Sequence, residues 1–522
     1  MSQSHFRIAV IGSGFAGSLT AMVAQQLGLS TVLIERGRHP RFAIGESSTP
    51  LANLLLEEIA DEYNLPGVRP LSKWGTWQQQ LPNLACGLKR GFTFYHHEFG
   101  RAFAPDPQRE RQLLVGASPT ENVADTHWYR PDFDRHLVEQ AQKLGVTYWE
   151  ETKLTAAHEE PGGMRLTGTR RGQPLEITAE FVIDATGPRG CLHQALNLPE
   201  QPVAGFPPTQ ALFAHFQEVA PLPPGFATGT EAPPYPPEQA AVHHVFPGGW
   251  VWVLKFNNGI TSAGVAATDA LAQDLQLGEG EPAWRRLLAR LPSLGEIFGT
   301  ARTLTPFVHL PRLAFQSGVV TGAHWALLPY AAGFVDPLLS TGFPLTLLGV
   351  SRIARLLKTN WQRPAFQAGL AEYGNLTALE LSAAARLVGA LYANLNRFEL
   401  FRELSLLYFA AACYSETVRR LGRPHLANSF LLCQHPVFGP QLRAFCEQAT
   451  QPLSPLEARQ LSQRIRNAIA PLDVAGLTDP ARQAWYPAQT SVLFANAAKI
   501  GASQAEIVAM LKRCGWRGDE PT

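Results

Sequence analysis

The hydrophobic pattern of the first 35 residues predicts a strand, a helix and a second strand. Ile8 to Ile11 form a short apolar run, and Thr31 to Ile34 form another. Between them, the segment from Ser18 to Gly28 is rich in alanine and leucine and has the length of a helix. Together these elements predict one βαβ unit at the start of the chain.

The pattern changes along the rest of the chain. Trp250 to Phe256 alternates with the period of a strand, and the middle third has other short β-like runs separated by Pro/Gly clusters. In the last third, apolar residues recur at helical spacing, so we expect a β-rich middle and a helical end. The helical positions are Leu376, Leu379, Ala383, Leu387, Leu391, Leu395 and Phe398.

A glycine-rich turn joins the first strand to the helix. Its residues Gly12, Ser13, Gly14, Phe15, Ala16 and Gly17 satisfy G-x-G-x-x-G in the context that binds a dinucleotide pyrophosphate. Glu35 ends the second predicted strand, where a carboxylate can accept hydrogen bonds from ribose hydroxyls. The sequence therefore predicts a bound dinucleotide, but this motif alone does not separate NAD from FAD.

Two further segments favour FAD. The apolar strand Phe181 to Asp184 precedes Ala185-Thr186-Gly187, and Gly333 to Pro337 places Asp336 before a segment rich in helix formers. An acid there could hydrogen-bond the ribityl chain. The chain contains no second G-x-G-x-x-G, so a separate NAD(P)H domain is not indicated and reduced flavin is expected from outside.

Composition narrows the class of protein. The 522 residues carry 44 Lys+Arg against 43 Asp+Glu, so no global charge favours nucleic acid or an anionic membrane. The six cysteines include no C-x-x-C pair, which argues against zinc and disulfide frameworks. The longest apolar stretch, Leu406 to Tyr414, is far shorter than a membrane span. We expect a cytoplasmic protein whose partners are small molecules, with no metal, nucleic acid or membrane.

Five segments resemble the flavin-dependent halogenases, within the group of FAD-dependent aromatic monooxygenases. The most specific, Phe334 to Gly342, is similar to the family's F-x-x-P-x-x-S-x-G pattern. The others are Gly12 to Gly17, Gly45 to Pro50, Arg130 to Asp134 (similar to R-x-x-F-D), and Gly249 to Leu254. The resemblance covers about residues 6 to 355.

The resemblance implies a reaction and its reagents. FADH₂, supplied by a separate flavin reductase, reacts with oxygen to give a C4a-hydroperoxide, which chloride or bromide attacks to form hypohalous acid. A lysine between flavin and substrate then delivers the halogen to an electron-rich ring, either free or tethered to a carrier protein. Chloride is expected at the backbone N–H groups of Thr341 and Gly342.

Departures from the family pattern bear on the substrate. This chain has Leu254 and Lys255 where the family has isoleucine and proline, and Leu339 where tryptophan halogenases carry a glutamate. The resemblance is therefore to the phenol and pyrrole type rather than the tryptophan type. Trp250 and Trp252, with Leu339, are expected in the substrate pocket, although two tryptophans on the buried face of a strand would explain them equally well.

Three lysines are candidates for the catalytic role. Lys73 lies in a loop-like segment, Lys255 ends the Trp strand, and Lys89 precedes an alternating strand in a segment similar to the family's catalytic lysine region. From the residues alone, Lys89 would be a solvated strand lysine beside Arg90. The resemblance favours Lys89 as the catalytic residue.

We therefore expect an α/β fold with a three-layer, Rossmann-type FAD-binding domain similar to that of glutathione reductase, a β-rich substrate layer and a C-terminal helical domain. The predicted FAD segments are about 5–70, 126–200 and 320–355, the substrate sheet about 71–125 and 201–319, and the helical domain 356–522. An aromatic hydroxylase and a non-catalytic FAD-binding protein remain as alternatives. The predicted cofactor contacts are Gly12, Ser13, Gly14, Phe15, Ala16, Gly17, Glu35, Arg36, Ser47, Arg130 and Asp336.

Overall fold

The computed structural model describes residues 4–223, 226 and 232–515. The β-strands in these ranges are β1 (Ser4–Ile11), β2 (Thr31–Ile34), β3 (Cys86–Lys89), β4 (Gly91–His96), β5 (Gln112–Gly116), β6 (Asp125–Trp128), β7 (Thr147–Trp149), β8 (Thr152–Glu160), β9 (Gly163–Arg170), β10 (Gln173–Asp184), β11 (Thr209–Gln217), β12 (Ala241–Phe246), β13 (Gly249–Lys255), β14 (Thr261–Thr268), β15 (Arg302–Thr303), β16 (Val308–Leu310), β17 (Phe315–Gln316), β18 (Trp325–Leu327), β19 (Gly333–Phe334) and β20 (Trp485–Tyr486).

The α-helices in the same ranges are α1 (Phe15–Gln26), α2 (Pro50–Glu62), α3 (Trp74–Gln80), α4 (Arg130–Lys143), α5 (Cys191–Ala195), α6 (Asp269–Asp274), α7 (Glu281–Arg290), α8 (Pro292–Ile297), α9 (Pro329–Ala332), α10 (Gly342–Asn360), α11 (Ala365–Tyr392), α12 (Phe398–Arg420), α13 (Phe438–Ala449), α14 (Pro455–Ile469), α15 (Thr490–Asn496) and α16 (Gln504–Arg513).

The first sheet carries the predicted βαβ unit. Its order is β7-β2-β1-β10-β9-β8, with β18 paired to β10, and β1 runs parallel to both β2 and β10. All four residues of β2 are buried. A parallel strand that is covered on both faces has apolar residues in succession rather than in alternation, and this explains the apolar run in the sequence. Helix α1 begins at Phe15, three residues before the predicted start, and Gly14 is its N-cap residue. The last residues of the glycine motif therefore belong to the first turn of the helix.

The second sheet carries the predicted strand that contains Trp250 and Trp252. Its order is β15-β11-β14-β13-β12-β4-β5-β20, with β16 paired to β11. The predicted alternation is present in β13: Trp250 and Trp252 face the main core, whereas Val251 and Val253 face a second apolar cluster. A separate pair, β3 with β6, runs antiparallel beside this sheet.

Helices dominate the chain after residue 341, and the predicted α/β fold with a helical C-terminal region is confirmed. The helical pattern is interrupted between Tyr392 and Phe398, where Asn394 donates side-chain hydrogen bonds to two backbone carbonyls and ends the run. The region is not purely helical, because β20 adds a strand to the second sheet beside β5. Within the described residues, no helix combines the length and apolar character needed to cross a bilayer.

Candidate active site

The glycine turn after β1 forms a cradle that side chains would fill. Gly12 has φ +96°, a conformation that glycine adopts easily. A Cβ atom at Gly17 would lie 1.8 Å from the carbonyl oxygen of Gly12, and one at Gly14 would lie 3.3 Å from Arg130 Nη2. Because the turn leads straight into the N-terminus of α1, it fits the pyrophosphate of FAD.

Glu35 follows β2 and holds this turn. Its Oε2 accepts hydrogen bonds from the Ser13 hydroxyl at 2.8 Å and the Ser13 N–H at 3.2 Å, and its Oε1 accepts from Gly37 N–H at 2.9 Å. Burial alone would raise the pKa of Glu35, but Arg41 at 3.4 Å and these hydrogen bonds hold it below its usual value. The carboxylate is thus ionised and suited to ribose hydroxyls. Arg36, the next residue, is exposed.

Arg130 lies buried beneath the glycine turn. Its guanidinium makes a paired contact with Asp134, with two N···O distances of 2.8 Å, and also donates to the carbonyls of Ile44 and Gly45. The fixed fork of an arginine suits such bidentate contacts. Arg130 therefore ties α4 to the loop at residues 44–45, which forms one wall of the cavity described next.

A cavity that Arg130 separates from the glycine turn gathers several of the predicted residues. It encloses about 720 Å³ of empty space, part of it open to solvent. Ser47, Trp250, Trp252, Asp336 and Gly342 all lie on its wall. We call it the first cavity. Its other wall residues are Ile44, Gly45, Glu46, Ala241, His243, Leu254, Leu310, Leu313, Tyr330, Phe334, Pro337, Ser340 and Phe343.

A chain of hydrogen bonds links Asp336 to the C-terminal helices. Trp250 Nε1 donates to the Tyr392 hydroxyl at 3.1 Å, and this hydroxyl donates to Asp336 Oδ2 at 2.8 Å. Burial raises the pKa of Asp336 to about 7, although its hydrogen bonds oppose the rise. Tyr392 was not among the residues predicted from the sequence. The available signal was a tyrosine within an apolar helical stripe, since a buried hydroxyl needs a partner.

Lys89 is fully buried at the end of β3. Its ammonium group donates to the Ser47 hydroxyl at 2.8 Å and to the Ser48 carbonyl, and it lies 3.8 Å from the centre of the Phe92 ring. Ser47 lines the first cavity, so one hydroxyl separates the ammonium group from the cavity wall. Burial lowers the pKa of Lys89, and the charge of Asp125 opposes this.

The other two candidate lysines have different surroundings. Lys73 lies 3.5 Å from Glu57, and Lys255 forms a 2.6 Å ion pair with Glu238 while about one third exposed. Lys89 is the only lysine of the described ranges that is fully buried. The expectation from the residues alone, that Lys89 is a solvated strand lysine, is therefore wrong. The antiparallel pairing of β3 with β6 and the loop at residues 45–50 cover it.

The predicted halide segment makes a sharp turn into α10. Leu339 and Ser340 have φ of +63° and +54°, which brings the chain back so that helix α10 can begin at Gly342. The first N–H groups of a helix have no partner within it. Ser340 and Gly342 line the first cavity, Thr341 is buried beside them, and Leu339 is buried in the core.

A second cavity lies between the β-rich part and the C-terminal helices, with about 1140 Å³ of empty space that is partly open. The loop at residues 45–50 lies between the two cavities, because Ser47 lines the first and Pro50 the second. The buried hydroxyl of Ser118, on the wall of the second cavity, makes no hydrogen bond within the described structure. Its other walls include Lys73, Thr120, Cys413, Glu416, Thr417, Arg420, Leu493 and Met510.

Comparisons with known proteins agree with the predicted resemblance. The chain is 30% identical over 361 residues to the monodechloroaminopyrrolnitrin halogenase PrnC of Pseudomonas fluorescens, covering 68% of this chain and 62% of that protein. It is 28% identical to the tetracycline 7-halogenase of Kitasatospora aureofaciens, covering 65% of this chain and 61% of that protein. The chain thus spans about six tenths of the length of these relatives.

A solved structure shares the fold over nearly the whole chain. The halogenase PltM, in complex with phloroglucinol and FAD, superimposes with a TM-score of 0.76 at 22% identity, covering 92% of this chain and 99% of that one. A family model described as FAD dependent oxidoreductase matches residues 7–327, more than half of the sequence. Its range includes the glycine cradle, Glu35, Arg130 and Lys89. The chain therefore belongs to the family of FAD-dependent oxidoreductases.

Proposed function

We propose that this protein is a FADH₂-dependent halogenase that chlorinates or brominates an electron-rich, uncharged arene of the phenol or pyrrole type. The named relatives support the reaction class, and the absence of an acidic residue at position 339 supports the substrate type. The glycine cradle, Glu35 and Arg130 would hold the FAD, and Asp336 on the wall of the first cavity would hydrogen-bond its ribityl chain. Bound reduced flavin, with dioxygen and halide, would supply hypohalous acid to this cavity.

The position of Lys89 carries the proposal. Its ammonium group is buried and donates a hydrogen bond to Ser47, which lines the first cavity. A donor at the edge of this cavity would be able to hold and polarise hypohalous acid. A buried donor also limits the escape of a reagent that halogenates indiscriminately in solution. Lys73 and Lys255, each paired with a glutamate, have no such position.

Halide is assigned to the start of α10. Two observations support this: Ser340 and Gly342 line the first cavity, and helix α10 begins at Gly342. A helix N-terminus of this length favours an anion through its unpaired N–H groups and its dipole. Thr341 and Gly342 would therefore bind chloride or bromide through their backbone.

The arene is assigned to the second cavity. Asp125, which faces Lys89 across the β3–β6 pair, interacts electrostatically with Glu416 and Arg420 on that cavity's wall. The charges on the wall are balanced, since Lys73 pairs with Glu57 and Arg420 pairs with Glu416. A balanced, largely apolar cavity suits a neutral ring, and the unpaired Ser118 hydroxyl could bind a phenol or pyrrole polar group. This assigns Trp250 and Trp252 to the flavin side instead of the substrate pocket.

The test combines the purified protein with FAD, NADH, a flavin reductase and a panel of neutral phenols and pyrroles. With bromide present, products are expected to gain one bromine, seen by mass spectrometry as a doublet of nearly equal peaks. Without halide, no product is expected. Equal oxygen insertion with and without halide would instead identify an aromatic hydroxylase.

A further inference from the structure

We infer that Asp125 is a positioning residue that keeps the amine of Lys89, which contacts Ser47, in its ammonium form. The inference rests on the proposed role of Lys89 in the halogenation. No sequence motif marks Asp125, and it touches neither cavity wall directly. It acts through Lys89 alone.

The antiparallel pairing of β3 with β6 brings Lys89 and Asp125 close together. Lys89 and Asp125 are directly opposite each other in the β3–β6 register. Side chains opposite one another in such a pair have Cβ atoms about 5 Å apart. Lys89 has no exposed surface and Asp125 is 6% exposed, so bulk solvent screens the interaction between the two charges only weakly.

One oxygen of Asp125 is held and the other is unpaired. Asn53 Nδ2, on α2, donates to Oδ1 at 3.0 Å. Oδ2 is buried and accepts no hydrogen bond from the described residues. A buried carboxylate oxygen without a donor is costly unless a nearby positive charge compensates it. Across the β3–β6 pair, Lys89 supplies that charge.

The direct contacts of the Lys89 ammonium group are all neutral: a hydroxyl, a carbonyl and an aromatic ring. Burial lowers the pKa of Lys89, and Asp125 is the group that opposes this. Burial in turn raises the pKa of Asp125, while Lys89 and Asn53 lower it. The pair therefore depends on both members for its charged form.

The other titratable groups around the pair do not replace Asp125. His127, on β6, and His243, on β12, both have pKa values lowered by burial and then by the charge of Lys89, so they are neutral. From α12, Glu416 and Arg420 act on Asp125 with opposite signs, and they pair with each other. Tyr408, also on α12, is neutral because burial raises its pKa. Among the residues that the structure describes, only Asp125 offers Lys89 a compensating negative charge from a buried position.

The consequence is a defined dependence on pH. The ammonium form is present below the pKa of Lys89 and is lost as the pH rises through it. Removing the Asp125 charge lowers that pKa, so the alkaline loss of halogenation moves to lower pH. An opposite charge within about 4–6 Å shifts a pKa by about 1–3 units.

The test compares Asp125→Asn, which removes the charge, with Asp125→Glu, which keeps it. Halogenation is measured from pH 6 to 9. In Asp125→Asn, the alkaline limb is expected to move down by about one pH unit or more. In Asp125→Glu, it is expected to stay close to the wild-type position. An unmoved limb in Asp125→Asn would overturn the inference.

A second measurement does not depend on activity. The chain contains eight lysines, so ¹³C-labelled lysine signals can be followed through a pH titration, with the Lys89 signal assigned from Lys89→Met. The Lys89 signal is expected to titrate at lower pH in Asp125→Asn than in wild type, even if the wild-type protein halogenates nothing. If Asp125→Asn does not fold, Asn53→Ala, which removes the donor to Oδ1, is expected to shift the titration in the same direction by less. A Lys89 titration unchanged in either folded variant contradicts the inference.

Discussion

The hydroxyl of Tyr392 donates a hydrogen bond of 2.8 Å to Asp336, joining residues 56 positions apart in sequence. The donor ends α11, and the acceptor lies on the wall of the first cavity. The same hydroxyl accepts from Trp250 on β13. One buried tyrosine thus connects the helical region, the second sheet and the segment assigned to the flavin.

Tyr392→Phe is expected to weaken FAD binding and lower the melting temperature. The change removes a donor from a buried carboxylate and leaves Trp250 Nε1 without its acceptor, and each unpaired buried group costs about 1–3 kcal/mol. FAD affinity by calorimetry and the Tm measure the effect. Tyr414→Phe, which alters a buried tyrosine on α12 that does not contact Asp336, is the control. Equal Tm values for the two variants would show that the hydrogen bonds of Tyr392 to Trp250 and Asp336 contribute no more to stability than an ordinary buried tyrosine hydroxyl does.

Asp336→Asn is expected to change how stability varies with pH. The pKa of Asp336 in the folded protein is raised to about 7, so between its unfolded pKa of about 4 and pH 7 the folded state binds more protons than the unfolded state. This group therefore makes the wild type lose stability as the pH rises through that range, and Asn removes the effect. The Tm of the variant minus that of the wild type is expected to be more positive at pH 8 than at pH 5. The opposite trend would mean that the carboxylate is stabilised in its charged form.

The local parts of the fold could be predicted from the sequence. Strand, glycine turn and helix are adjacent between Ile8 and Gln26, so the pattern of nearby residues is enough to place them. The position of Glu35 follows in the same way, because the acid comes directly after a buried strand. The apolar stripe likewise predicted the helical C-terminal part.

The missed features depend on contacts between distant segments. Lys89 is buried because β3 pairs with β6 and the loop at residues 45–50 covers it, and no local pattern encodes either contact. Tyr392 and Asp125 were missed for the same reason, since their partners lie far away in sequence. Arg36 was also predicted to contact the cofactor; it is exposed, and its role stays a prediction.

Gly14→Val is expected to reduce FAD affinity at least tenfold, about 1.4 kcal/mol or more. The branched side chain would occupy the cradle where the pyrophosphate approaches the backbone, and its Cβ would already lie 3.3 Å from Arg130 Nη2. Calorimetric titration with FAD measures this. Gly278→Val is the matched control, because a Cβ there has no neighbour closer than 3.7 Å. Unchanged affinity in Gly14→Val would exclude this turn as the pyrophosphate site.

Thr417→Trp tests the assignment of the arene to the second cavity. Thr417 lies on α12 and lines that cavity, so an indole side chain there would fill part of the space. A loss of about tenfold or more in kcat/KM for the arene is expected, with FAD affinity unchanged. Thr417→Val, which keeps the size and removes only the hydroxyl, is expected to behave like wild type. Full activity in Thr417→Trp would place the arene elsewhere.

The proposed delivery of halogen by Lys89 can be measured in a single reaction. Fully reduced FAD is mixed with oxygen, bromide and an arene that the wild type brominates, and two quantities are followed in the same reaction: reduced flavin oxidised and bromoarene formed. Lys89→Met keeps the apolar stem of the side chain and removes the ammonium group. Lys255→Ala is the control, because Lys255 is about one third exposed and does not line the second cavity, and removing a solvent-accessible lysine changes stability by about 0.5 kcal/mol or less. We expect Lys89→Met to oxidise reduced flavin at a rate close to wild type and to form no bromoarene, while the control brominates. Bromination by Lys89→Met at the wild-type rate would contradict the role of Lys89.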